Sequence, residues 1–375
     1  MKARLSTYRQ RLFVAAVCCG ATFLLAAGAA STEHKKARSV VPRALPDAIS
    51  NFGRQTLGID AKGRAAVLRK ETLEVFRLEA TGELEPLEVL KFPPGFSEVI
   101  RAAVMAPDGD EWYLLGAQDV WRATAQTVEK LPPVGWRVDN LTRAGDEPVV
   151  SVMPFGVGKP VRKRVVKTGE RAPQLLNFSA SDWTVLLEEG TIPGGEEVVA
   201  NYARINQERM LEFAPSRSNR LWAADCYRYR VRQVSPAGKV LATLAGSLEI
   251  RLDDKDADSK TEAMANGAGP ALSPGREILA NLAIPVIRGL GEGPDGRLYL
   301  VTNLDFLALD RFDPVTLKLE RVPLELPFNG RLMVGGATDG LYLLGYSSET
   351  GRWFVPWGKL EEADWQPVED VEING

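Results

Sequence analysis

Six times along the chain a tight turn leads directly into a short, strongly apolar run. The copies are Ala61-Lys62-Gly63 before RAAVL, Pro107-Asp108-Gly109 before DEWYLL, and Ala144-Gly145-Asp146 before EPVVSV. They continue with Ser218-Asn219-Arg220 before LWAA, Pro294-Asp295-Gly296 before RLYLV, and Thr338-Asp339-Gly340 before LYLL. Gly- and Asn-containing turns adopt the left-handed dihedrals that tight hairpins require. Runs such as Trp112-Tyr113-Leu114-Leu115 are apolar at consecutive positions, so both faces of the strand must be buried. That requirement argues against a sheet with one wet face.

With Gly63, Gly109, Gly145, Asn219, Gly296 and Gly340 as markers, the spacings are 46, 36, 74, 77 and 44 residues. The short spacings match one four-stranded propeller blade, roughly 40 residues. The long ones hold a blade plus an insertion, or two blades with a degenerate turn between them. Stacked blades bury both sheet faces, since each packs against a neighbour on either side. The expected fold is therefore all-β: a β-propeller of four-stranded antiparallel blades, with a β-sandwich as the other all-β architecture. Six blades are expected within residues 54–366, near 54–95, 96–133, 134–176, 200–246, 283–327 and 328–366. Seven is the alternative count, should residues 177–199, with the strand-like Trp183-Thr184-Val185-Leu186-Leu187, begin a blade of their own. Ring closure is expected to pair early residues with the last blade, because closure removes exposed edges. Residues 247–282 differ in kind. They are polar, charged and rich in Ala and Gly, and read as a long inter-blade insertion, within which residues 248–275 are the expected first target for proteases.

One copy is more specific than the others. Residues 221–239 read LWAADCYRYRVRQVSPAGK. This resembles the NHL repeat, in which a strand ending V-A-D leads through a short loop to R-I-Q-V-F and then P-D-G-K. A partial second copy runs from Arg297-Leu298-Tyr299-Leu300-Val301-Thr302-Asn303 to Leu309-Asp310-Arg311-Phe312-Asp313-Pro314. The resemblance implies a six-bladed, TolB-like propeller. It also implies that Asp225, and Asn303 at the matching place, help to fix the loop that follows. It carries no activity, because propellers host many functions.

The first thirty residues read as an export signal. Lys2, Arg4, Arg9 and Arg11 precede an uncharged run from Leu12, which ends in the small residues Ala27-Gly28-Ala29-Ala30. Cleavage near Ala29 or Ala30 would leave an N-terminal segment, 31–53, ahead of the propeller, and an extracytoplasmic protein, periplasmic or secreted, without a membrane span. A retained anchor of bilayer-spanning length and a lipoprotein through Cys18 or Cys19 are the competing readings. Removing the segment leaves Cys226 as the one cysteine, and takes the formal net charge from -3 to -7 by the loss of four positive residues. That balance argues against nucleic acid as a partner.

The single histidine, His34, lies just beyond the expected cleavage site. This argues against Ser-His-Asp chemistry, histidine-ligated zinc and histidine general bases. The one metal-like spacing is Asp254, Asp256, Asp258 and Glu262, at positions 1, 3, 5 and 9 of a loop in the insertion. Alternating carboxylates of this kind converge on calcium. Ser259 stands where such loops carry glycine, Lys255 and Lys260 compete with a cation, and a solvated charged loop is the plainer reading. Cys226 has Arg228 and Arg230 nearby, which would lower its pKa if they faced it; a passive, buried thiol is the alternative. The basic stretch Lys159, Arg162, Lys163, Arg164, Lys167 and Arg171 reads as a charged edge. Residues 367–375, with the acidic residues from Glu361 to Glu372, read as a solvated tail. The expected function is a non-catalytic binding or protein-interaction scaffold for an unknown protein or envelope ligand, with no cofactor required. The alternative is a metal-dependent hydrolase resembling the gluconolactonase-like propellers, which hold a divalent cation near the central channel. Glu292-Gly293-Pro294 resembles their E-G-P motif.

Overall fold

A computed structural model describes most of residues 39–375. Outside the description lie 1–38, 46–55, 154–170, 192–210 and 247–285, with shorter stretches at 61–62, 70–71, 94–95, 97–98, 106–110, 125, 216–218, 305, 328–329 and 346–350. The described residues form six antiparallel blades arranged as a six-bladed propeller, with one short helix. Blade 1 is β2 (Thr56–Ile59), β3 (Arg64–Leu68), β4 (Thr72–Leu78) and β5 (Leu84–Lys91). Blade 2 is β6 (Ala102–Met105), β7 (Trp112–Leu115), β8 (Val120–Ala123) and β9 (Val128–Lys130). Blade 3 is β10 (Arg137–Ala144), β11 (Glu147–Met153), β12 (Arg171–Ser179) and β13 (Asp182–Thr191). Blade 4 is β14 (Leu211–Pro215), β15 (Leu221–Asp225), β16 (Arg230–Val234) and β17 (Val240–Gly246). Blade 5 is β18 (Ile287–Glu292), β19 (Leu298–Asn303), β20 (Leu307–Asp313) and β21 (Lys318–Pro323). Blade 6 joins β22 (Leu332–Gly336), β23 (Gly340–Gly345) and β24 (Arg352–Pro356) to β1 (Arg43–Ala44) from the other end of the chain. Arg43 pairs with Phe354 and Ala44 with Trp353, so the ring closes as expected.

The six hydrophobic clusters of the described residues correspond to the six blade interfaces, which explains the unbroken apolar runs. Trp112 and Leu114 pack toward blade 1, while Tyr113 and Leu115 pack toward blade 3. Leu221 and Ala223 face blade 3, while Trp222 and Ala224 face blade 5. Each strand alternates between two dry interfaces, and burial of each large side chain stabilises by about 1.5–3 kcal/mol.

Gly63, Gly145, Asn219 and Gly296 sit in the hairpin between the first and second strand of their blades. Gly63 and Asn219 adopt φ +73° and +59° there. Gly340 has another reason to be glycine: it opens β23, and a Cβ would meet the Val355 carbonyl oxygen at 2.3 Å.

Two expectations need correction. Residues 177–191 do not begin a seventh blade. They finish blade 3, with Phe178 paired to Trp183 across a hairpin, so that blade runs well past residue 176. Its turn uses Ala180 at φ 50° and Ser181 at φ 88°, so no Gly or Asn announces it. The C-terminal residues are not simply a solvated tail. After α1 (Trp357–Glu361), β25 (Gln366–Pro367) adds a fifth strand to blade 5, and β26 (Val371–Asn374) adds one to blade 4. Glu372, the acidic residue of β26, is exposed while Val371 is buried.

Candidate functional site

The first strand of each blade lines the central axis, each touching the next, and β22 touching β2. They run parallel. A Cβ on Gly289 would strike the Leu332 oxygen and one on Gly291 the Val334 oxygen, at 2.2 and 2.3 Å, so both chains advance together. The strand starts therefore share one end of the channel, the mouth, and the first hairpins share the other, the floor. The channel encloses a cavity of about 320 Å³.

The mouth is crossed by Arg331. This residue immediately precedes β22 in blade 6, yet its guanidinium pairs with Glu212 on β14 in blade 4. Its Nη2 also approaches the Cys226 sulfur at 3.6 Å, in the loop after β15. Asp139, on β10 in blade 3, feels the same arginine. Burial raises the Asp139 carboxyl above the ordinary range, and Arg331, Arg101 and Arg137 partly oppose this. Burial likewise raises Glu212, against the pull of Arg331. Burial disfavours the charged form of Arg331, but Glu212, Cys226 and Asp139 outweigh it and hold the guanidinium protonated. Arg101 fastens blade 2 to blade 3, donating from Nε to the Gly116 oxygen at 2.9 Å and from Nη2 to the Val138 oxygen at 3.2 Å.

The floor is differently built. Arg64 Nε donates to Asp60 Oδ2 at 2.7 Å, and Arg143 Nη1 to the Gly145 oxygen at 2.8 Å. Trp222 Nε1 donates to Glu292 Oε2 at 3.0 Å. Trp112 Nε1 and Thr142 Oγ1 belong to residues that line the cavity and are 3% and 2% exposed. Neither atom has a hydrogen-bond partner among the described residues. Buried polar atoms ordinarily find a partner, so these two leave hydrogen-bonding capacity on the cavity wall.

The residues singled out from sequence fall in different places. Cys226 is fully buried, and burial drives its thiol well above the ordinary range, with Arg331 opposing only in part. That is the passive thiol. The arginine beside it is Arg331, whereas Arg230 turns to Asp225, its Nε donating to Oδ2 at 2.8 Å. Asp225 also accepts from Arg232 Nη2 at 3.2 Å, so it holds the start of β16 to the end of β15, as the repeat resemblance implied. Glu292 sits at the floor, not with Asp139 and Glu212 at the mouth. The candidate calcium loop Asp254, Asp256, Asp258 and Glu262 and the basic residues 159–167 lie outside the described residues. Among the described residues no cluster of three or more His, Cys, Asp or Glu side chains is placed to hold a metal ion. No described helix is long and apolar enough to cross a membrane.

Sequence reasoning missed the mouth, although a signal existed. Arg101, Arg137 and Arg288 each stand eight residues before a turn glycine (Gly109, Gly145, Gly296), and Arg331 stands nine before Gly340. Reading backward from each turn would have found the arginines at or near the strand starts.

No protein-family model matches this chain, and no curated protein matches it. Solved structures of similar shape exist. A streptogramin B lyase structure aligns at TM-score 0.45 and 12% identity, over 88% of this chain and 86% of its own. A regucalcin from Agrobacterium tumefaciens, described as calcium-binding, aligns at 0.43 and 12%, over 85% and 96%. A Bacteroides thetaiotaomicron protein of unknown function aligns at 0.45 and 11%, over 86% and 73%. These likenesses concern the fold and transfer no activity.

Proposed function

We propose that this protein is an exported, NHL- and TolB-like propeller that binds a small molecule in its central channel without transforming it. The observation that carries this reading is the engagement of the mouth carboxylates. Glu212 is paired with Arg331, and Asp139 lies in the field of Arg331, Arg101 and Arg137. A general base or metal ligand works best as a carboxylate released from such partners. Arginines facing carboxylates across a confined channel instead form a recognition surface. Export follows from the charged start and apolar run of the first thirty residues.

The test is native mass spectrometry of the purified mature protein, incubated with the low-molecular-weight fraction of an envelope extract. The expected result is a small-molecule adduct that is lost in Arg331→Ala, with circular dichroism confirming that the variant folds. Absence of any adduct on the wild type overturns the reading.

A second reading has its own support. Asp139, Asn140 and Glu212 all line the channel, as a cation-dependent hydrolase would need. Lactones and phosphate esters assayed with added calcium, zinc or manganese separate the two. Saturable, metal-dependent turnover that disappears in Glu212→Gln and Asp139→Asn establishes the hydrolase and displaces the binding reading.

A further inference from the structure

We propose that the channel accommodates a free α-amino acid, its carboxylate on Arg331, its ammonium on Glu212 and Asp139, and an acceptor at its side-chain end on Trp112 and Thr142. This rests on the channel being a small-molecule site and names the chemistry of the guest.

Three observations converge. First, the charges lining the cavity cancel, with four arginines against four carboxylates. A guest with large net charge of either sign would leave an uncompensated ion in a confined space, which is costly. A zwitterion keeps the balance.

Second, at the mouth the Arg331 guanidinium stands between carboxylates from two other blades, with Arg101 and Arg137 also acting on Asp139. Arg331 comes from blade 6, Glu212 from blade 4 and Asp139 from blade 3. A guest carboxylate takes the N–H edge of the guanidinium that Glu212 does not fill, and the adjacent ammonium takes the carboxylates. Each group exchanges water for a charge-assisted hydrogen bond, among the stronger kinds in proteins. Only a molecule with both groups on neighbouring atoms satisfies both at one end of the channel.

Third, the interior continues the match. Below the mouth the wall is apolar, with Ile59, Val104, Phe213 and Met333. At the floor end, Trp112 pairs in register with Met105 at the end of β6, and Thr142 stands three residues beyond Asp139. That separation is about 10 Å of strand rise, shortened by the inward reach of the side chains at both ends. The indole N–H of Trp112 is a donor only and Thr142 adds a hydroxyl, so the distal group must be an acceptor. A long, mainly apolar side chain ending in a carbonyl fits. Glutamine and Nε-acetyl-lysine are two lengths of that design, and norleucine is the same design without the acceptor.

The experiment is isothermal titration calorimetry on the purified full mature chain, with those three amino acids and with the Nα-acetyl and α-amide derivatives of the tighter binder. Saturable binding is expected, with a loss of about tenfold or more when either α-group is blocked. Trp112→Phe keeps the ring and removes the N–H. It should weaken the carbonyl-ended probe about fivefold or more and leave norleucine unchanged. A thermal unfolding curve confirms that the variant folds, and Thr142→Val gives an independent readout of the same end.

No heat with any of the three amino acids overturns the inference, as does equal binding of the blocked derivatives. An unchanged probe affinity in both Trp112→Phe and Thr142→Val removes the distal assignment. If the amino acids fail while the envelope extract still yields an Arg331-dependent adduct, the guest chemistry is wrong and the channel reading stands. If both fail, both fall.

Discussion

Blades 4 and 5 are each closed by a strand from the end of the chain, whereas blades 1 and 2 end on β5 and β9, which have no further strand among the described residues. The interfaces differ in the same sense. Between blades 4 and 5, Tyr229 donates to Asp310 Oδ2 at 2.7 Å, and Arg321 donates to both oxygens of Asp310 at 2.6 and 2.8 Å. Trp222 reaches across to Glu292. On the blade 6 side of blade 5, the tail adds Trp365 beneath the Arg311 guanidinium, 4.2 Å from the ring centre. Between blades 1 and 2 the core consists of apolar residues such as Leu73, Leu90 and Leu114. Both interfaces are well buried, and the one between blades 4 and 5 adds direction-dependent bonds to its packing. The bare edge of β5 is blunted by Pro86, a register shift opposite it, and the charges of Glu85, Glu88 and Lys91, although Leu87 and Val89 are exposed. Those features discourage pairing with another chain.

The sharpest way to break this comparison is to end the chain after Asp364. That removes β25, β26 and the burial of Trp365, Val371 and Ile373. A loss of about 5 kcal/mol or more is expected from the apolar area alone, read as a lower urea midpoint. An unchanged midpoint would mean that the added strands fasten nothing. Next in size is Asp310→Ala, which strands Arg321 and Tyr229 and should cost about 3–5 kcal/mol. Asp310→Asn, which keeps acceptor and shape, should recover part of it. Trp222→Phe removes one donor from the buried Glu292 and should cost about 1–3 kcal/mol by the same denaturation assay.

Acid adds a subtler distinction. Glu212 on β14 has no acidic counterpart on β6, where Ala103 holds the second position. Its folded-state carboxyl is raised by burial, so the folded protein takes up a proton before the unfolded chain does. The destabilisation from the charged form is present above the folded pKa and is relieved as pH falls toward the ordinary carboxylate range. Wild type should therefore gain stability relative to Glu212→Gln between pH 7 and about pH 5; a constant difference would contradict the assignment. The smallest expected effect is Val89→Thr on the uncovered β5, within about 0.5 kcal/mol. A larger loss would show that this edge is covered in solution.

Much of the architecture is legible because its signals are local. Leu114 and Tyr113 point to opposite interfaces because strand residues alternate, whatever the blades are called. Where the local signal is weak the reading slips, as at Ala180 and Ser181, which turn the chain without glycine. The candidate site was scarcely legible. Cys226 drew notice as a rare residue, but the arginine that meets it is 105 positions away, and Arg331 and Glu212 are 119 apart.

By itself, then, the sequence determined the repeating unit: a hairpin turn followed by a strand apolar on both faces, recurring often enough to build a closed ring. These are properties of a few consecutive residues, set by dihedral preference and by the two-residue period of a strand. Tertiary structure alone decided that Arg331 lies across the mouth toward Glu212 and Asp139, and that the acidic C-terminus becomes edge strands on blades 4 and 5. Both depend on how many blades close the ring. That count sets which strand starts face each other over the axis and where the chain's end is delivered, and it is a property of the whole circle.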